Sequence, residues 1–135
     1  MTNQEAGEGL VREAQRISER DLTSAWRDRD YNLVVRRAQE VVELALKGSL
    51  RILGVDFPKV HDVGPVFVEQ MQRKGSHMPL ETLEEIRRIS AWLSEARAPA
   101  FYLERVYGEG DARRALTEAE FVLASVRKAF GMVSE

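Results

Sequence analysis

Residues 30–54, DYNLVVRRAQEVVELALKGSLRILG, decide the fold class. Val34, Ala38, Val41, Ala45 and Ile52 recur at helical spacing, and Val42, Leu46, Leu50 and Leu53 form a second apolar stripe beside them. Asp30 is placed to cap the start, Arg51 suits the last turn, and Gly54 stands where a helix stops. Two adjoining apolar faces require cover on more than one side. The segment is therefore either the central helix of a bundle or shared between a core and a dimer interface.

The flanking sequence repeats the same punctuation. Upstream, Gln4 to Arg27 reads as a first helix, with Thr2 and Glu5 spaced as a capping box and with Gly7 and Gly9 expected to weaken its first turn. Downstream, Pro58 ends a loop and Asp62 is the expected cap of a short third helix. Pro65 lies in that helix's first turn, Val63, Val66, Phe67 and Met71 give it an apolar side, and Gly75 stops it. Pro79 and the acids Glu81, Glu84 and Glu85 open a fourth helix with a stripe of Ile86, Ile89, Leu93 and Ala96. Pro99 is expected to kink or end it. Gly108 and Gly110 precede a last helix that Asp111 is expected to cap, its face running from Ala112 through Ala115, Ala119 and Val122 to Val126. No period-2 alternation competes. The expectation is an all-α, up-and-down bundle of four or five helices, one domain over residues 1–135.

Composition removes several classes of function. The chain has 135 residues and no cysteine, which excludes disulfides, thiolate metal sites and cysteine nucleophiles. Its 20 basic and 22 acidic residues nearly cancel, so there is no general pull toward nucleic acid, although a local basic patch can exist. No apolar run approaches the roughly 18 residues of a membrane span, and Met1 to Gly9 is polar and acidic, unlike a signal or transit peptide. A soluble, cytoplasmic protein is expected. The two histidines, His61 and His77, lie in separate loops without ligand spacing, so no metal and no cofactor is expected.

Two blocks carry a family resemblance. Arg37-Ala38-Gln39-Glu40-Val41-Val42-Glu43-Leu44-Ala45-Leu46-Lys47-Gly48, followed after a loop by Pro58-Lys59-Val60-His61-Asp62-Val63, resembles the signature of the HEPN family (higher eukaryotes and prokaryotes nucleotide-binding). Ile89-Ser90-Ala91-Trp92-Leu93, then Arg97, Phe101 and Tyr102, and later Asp111-Ala112-Arg113-Arg114-Ala115-Leu116, resembles its C-terminal half. The resemblance implies a helical bundle, usually a homodimer with a cleft near the dimer axis. It also implies nucleotide binding, RNA cleavage, or pairing with a small nucleotidyltransferase in a toxin–antitoxin-like couple. Ribonuclease members carry an arginine, four to six residues, and a histidine. Arg73 to His77 has three residues between and Arg51 to His61 has nine, so nuclease activity does not carry over.

The ligand-binding candidates are Lys47, His61, Asp62, Arg97 and Tyr102, each with two readings. His61 can exchange a proton that Asp62 orients, or Asp62 caps the third helix while His61 bonds a loop carbonyl. Lys47 pairs with Glu43 on the helix surface, or in the family reading faces the cleft and attracts phosphate. Arg97 and Tyr102 offer a guanidinium fork and an aromatic face to a nucleotide, or pack a helix end. They reach Lys47 and His61 only if Pro99 turns the chain that way. Lys47-Gly48-Ser49 lacks the strand and upstream glycine of a phosphate loop, and Asp28-Arg29-Asp30 is better explained by capping than by metal binding. Ser49 and Ser90 have no nearby base in sequence. Arg36-Arg37, Arg87-Arg88 and Arg113-Arg114 either converge on a groove or pair with the abundant acids.

Overall fold

The computed structural model describes residues 1–133, and among them every regular element is helical. The helices are α1 (Asn3–Arg16), α2 (Thr23–Arg27), α3 (Tyr31–Ile52), α4 (Gly64–Arg73), α5 (Leu80–Phe101) and α6 (Glu109–Ala129). Ile17–Leu22 is a π-helical turn that joins α1 to α2 without a break, so the chain has five helical rods. Thr2 and Glu5 form the expected capping box, and Asp30 accepts the Leu33 N–H to start α3. At Gly54 (φ 77°) the glycine N–H bonds the Arg51 carbonyl and the Val55 N–H bonds Leu50, closing α3 in a left-handed turn. The same closure ends α4 at Gly75 and α6 at Gly131.

Three expectations about helix ends are corrected. Val63, not Asp62, is the cap residue of α4. The Asp62 carboxylate accepts the Gly64 N–H (3.2 Å) and the Ser90 hydroxyl (2.7 Å), tying the entry of α4 to α5. Gly108 is the cap position of α6, and Asp111, three residues later, accepts its N–H. Pro99 neither ends nor breaks α5, which runs on to Phe101; a proline this close to a C-terminus removes only one bond of the final turn.

α3 is the axis. α1, α5 and α6 all pack along it, and Val34, Val35, Ala38, Val41, Ala45, Leu46 and Leu50 have no exposed surface. Both apolar stripes are thus covered within one chain except at Ile52 and Leu53, which are partly buried, as suits a central helix. The buried residues of the first rod, Val11, Ala14, Ile17, Leu22 and Ala25, keep facing the core because the π turn supplies a five-residue step between Ile17 and Leu22.

Gly7 does not fray the first rod. It is buried where α1 crosses α3, and a Cβ placed on it would lie 2.5 Å from the Gly48 carbonyl oxygen and 2.6 Å from Ile52 Cγ1. A Cβ on Gly48 would lie 2.7 Å from the Gly7 carbonyl oxygen. The two glycines let the backbones touch, much as small residues do at close helix crossings elsewhere.

At the other end of α3, Asn32 clamps the α5–α6 connection. Its amide donates to the carbonyls of Ala100 (3.1 Å) and Arg105 (2.8 Å), and its oxygen accepts the Tyr107 N–H (2.8 Å). Leu103 closes α5 at φ 57°, a conformation that costs a residue with a Cβ about 1–2 kcal/mol. Between α5 and α6, Glu118 accepts bonds from Trp92 Nε1 (2.6 Å) and Arg88 (2.5 Å) and lies 3.4 Å from Arg114, whose guanidinium stacks over the Trp92 ring.

Candidate functional site

Three polar residues of α3 lie on one line of that helix. Gln39, Glu43 and Lys47 follow at intervals of four, so their side chains stack along one line toward the loop after α3 and toward the C-terminal half of α5. Glu43 is the hub. One oxygen accepts the Lys47 ammonium (2.7 Å), and the other accepts the Gln39 amide (2.7 Å) and faces His61 Nδ1 (2.8 Å). Because an ionised carboxylate only accepts, Nδ1 carries the hydrogen and Nε2 is left to the outside. The Gln39 oxygen, turned away from Glu43, accepts the Arg97 guanidinium (2.5 Å). Gln39 is buried, and the Glu43 and Lys47 side chains are only 16% and 14% exposed, whereas His61 is 55% exposed.

This arrangement sets the electrostatics. Burial pushes the Glu43 carboxyl up, but the Lys47 ammonium and the hydrogen bonds from Gln39 and His61 outweigh it, so the group is held below its ordinary range and stays ionised. Glu43 and Lys47 neutralise each other beneath the surface. Among the described residues Arg97 is in no ion pair, and only one of its five N–H donors is used by Gln39. Arg36 adds a second guanidinium 4.5 Å above the Phe101 ring.

His61 and Arg97 open into one groove of about 320 Å³, lined also by Ser94, Ala98, Phe101 and Tyr102. The Phe101 and Tyr102 rings meet edge to face at 4.8 Å and are 54% and 69% exposed. Four of the five candidates are therefore linked: His61, Arg97 and Tyr102 line the groove, and Lys47 lies behind it, held by Glu43 and stacked at 5.3 Å over the Phe57 ring. Arg97 reaches the network along a continuous α5, so no turn at Pro99 is needed. Asp62 is elsewhere, engaged with Ser90, and it does not orient His61; Glu43 does, replacing the loop carbonyl first expected. Gln39 and Glu43 are the residues sequence reasoning missed. Their signal was a polar row at i, i+4, i+8 on a helix otherwise apolar on two sides.

The remaining basic pairs mostly meet acids. Arg37 bonds Glu40, Arg87 bonds Glu84, Arg88 bonds Glu85 and Glu118, and Arg113 bonds Glu109. Among the described residues no three His, Asp or Glu side chains are grouped to hold a metal ion, and no helix is long and apolar enough to cross a membrane.

Four rods around a central helix, with a histidine and an arginine brought to one groove by a polar row on that helix, define a helical-bundle domain with a built surface site. The sequence model of the HEPN domain matches residues 11–129. The chain belongs to the HEPN domain family. No curated protein and no solved structure adds a further match.

Proposed function

We propose that this chain is a HEPN binding or regulatory module that takes a nucleotide or RNA in the His61–Arg97 groove and acts beside a small nucleotidyltransferase. The observation that carries the reading is the anchoring of Arg97 by Gln39, which leaves guanidinium donors directed at a groove edged by two exposed aromatic rings. A guanidinium fork suits phosphate, and an exposed ring suits a base. The nucleotidyltransferase partner rests on family membership, and co-purification with the product of an adjacent gene is its test.

Calorimetric titration with nucleotides and short RNAs at low salt is expected to show binding. Arg97→Ala should weaken it at least tenfold and flatten its salt dependence, and Tyr102→Ala should cost about 1–3 kcal/mol through lost stacking. No binding at millimolar ligand sinks the reading.

One observation favours RNA cleavage as a second reading: a carboxylate holds His61 Nδ1, leaving Nε2 to exchange a proton beside Arg97. RNA that stays intact with purified protein retains the module reading. Cleavage that disappears in His61→Ala replaces it.

The proposal includes a second copy of the chain. Since α3 has no uncovered face, the surface for it is the α5–α6 connection, where Leu103 and Val106 are 70% and 84% exposed next to the groove. Light scattering is expected to give a dimer that Leu103→Glu with Val106→Glu converts to monomer. A monomeric parent protein at high concentration would remove this part.

A further inference from the structure

A second cavity, of about 660 Å³, lies on another part of the bundle, between the end of α4, the Gly75–Pro79 connection and the last turns of α6. Its volume falls in the range of small-molecule sites. The wall from the connection is built, not slack. Gly75 reverses the chain at φ 74°, the Ser76 N–H bonds the Met71 carbonyl, and the Ser76 hydroxyl accepts the Met78 N–H (3.1 Å). These bonds hold Met78 in the cavity lining, which it shares with Phe121 and Phe130 of the α6 end and with buried Met71.

The charged lining is one-sided. Lys74, His77 and Lys128 line the cavity, and none of its lining residues is acidic, in a chain whose acids outnumber its bases by 22 to 20. Among the described residues neither Lys74 nor Lys128 is in an ion pair, so no carboxylate competes for either ammonium at the cavity. An inorganic anion would leave the methionine and phenylalanine walls uncovered, and a neutral apolar molecule would leave the lysines unmatched. A polyphosphate suits the apolar walls poorly. We infer that this cavity binds a small organic anion with an apolar body, of the medium-chain carboxylate class, its chain against Met71, Met78, Phe121 and Phe130 and its anionic head at Lys74 and Lys128.

The inference is independent of the His61–Arg97 groove and is tested on the full chain. The probe is anilinonaphthalene sulfonate fluorescence, displaced by decanoate or by decan-1-ol of the same chain length. Expected are one probe per chain, displacement by decanoate at tenfold or more below the alcohol, and no change in Arg97→Ala. Lys74→Glu with Lys128→Glu should weaken decanoate at least tenfold, while the arginine pair at the same positions keeps it. Ser125→Trp, which fills the cavity from α6, should abolish probe binding with the helical circular dichroism unchanged. Equal displacement by alcohol and acid, indifference to the charge reversals, or no probe binding at all would overturn the inference. Saturation at one probe per two chains would place the cavity between copies and overturn it as well.

Discussion

Gly48→Ala is expected to destabilise the protein by about 2–3 kcal/mol, the upper range for overpacking a tight contact, although alanine is the better helix former by about 1 kcal/mol. The reason is geometric. The new methyl would stand 2.7 Å from the Gly7 carbonyl oxygen and 2.8 Å from Val11 Cγ2, and a backbone oxygen on a packed helix cannot swing aside as a side-chain end can. Gly7→Ala meets Gly48 at 2.5 Å and should behave alike. Gly9→Ala, with nothing within 4 Å, should instead stabilise by about 0.5–1 kcal/mol. Urea denaturation of the three variants checks the sign as well as the size. A stabilised Gly48→Ala would mean that α1 does not cross α3 as described.

Glu43→Ala should cost about 2–4 kcal/mol, because a nearly buried ammonium and a buried amide lose their shared acceptor. It should also release His61 and, through Gln39, Arg97, so ligand binding in the groove falls further than stability alone predicts. Glu43→Gln keeps the shape and one acceptor and should fall between. The pH dependence has a definite sign. The folded carboxyl titrates below its unfolded value, so its contribution is complete above the unfolded range and is lost as pH falls through that range to the lower folded value. The stability gap between the parent protein and Glu43→Gln should therefore narrow on acidification. Denaturation midpoints across a pH series measure it, and a gap that widens toward acid would refute the hub.

The elements legible in the sequence are those whose cause is local. Thr2 with Glu5, Asp30, and Gly54, Gly75 and Gly131 act on backbone groups within a few residues, so their letters suffice. Asp62 and Asp111 show the limit of such reading. Each stands near a helix start and each bonds the backbone there, but Asp62 also binds Ser90 of α5, a partner that lies far along the chain. Gly7 at the α1–α3 crossing looked like a weak point because helix propensity judges a residue alone, while its role exists only when two helices meet. Glu43 was hidden by a sufficient local explanation, its pair with Lys47. The bonds to Gln39 and His61, and from Gln39 to Arg97, appear only once α5 and the loop close over α3.

The π turn at Ile17–Leu22 gives the first rod room to lose a residue. A helix that takes a five-residue step holds one residue more than its inward-facing pattern needs. Loss of one of the outward residues there, such as Glu19 or Arg20, would relax the step into an ordinary turn and leave Val11, Ala14, Leu22 and Ala25 facing the same neighbours. The first rod can thus change length without changing register. A shorter sibling would align to this sequence with a gap in mid-helix, where the two folded chains have none.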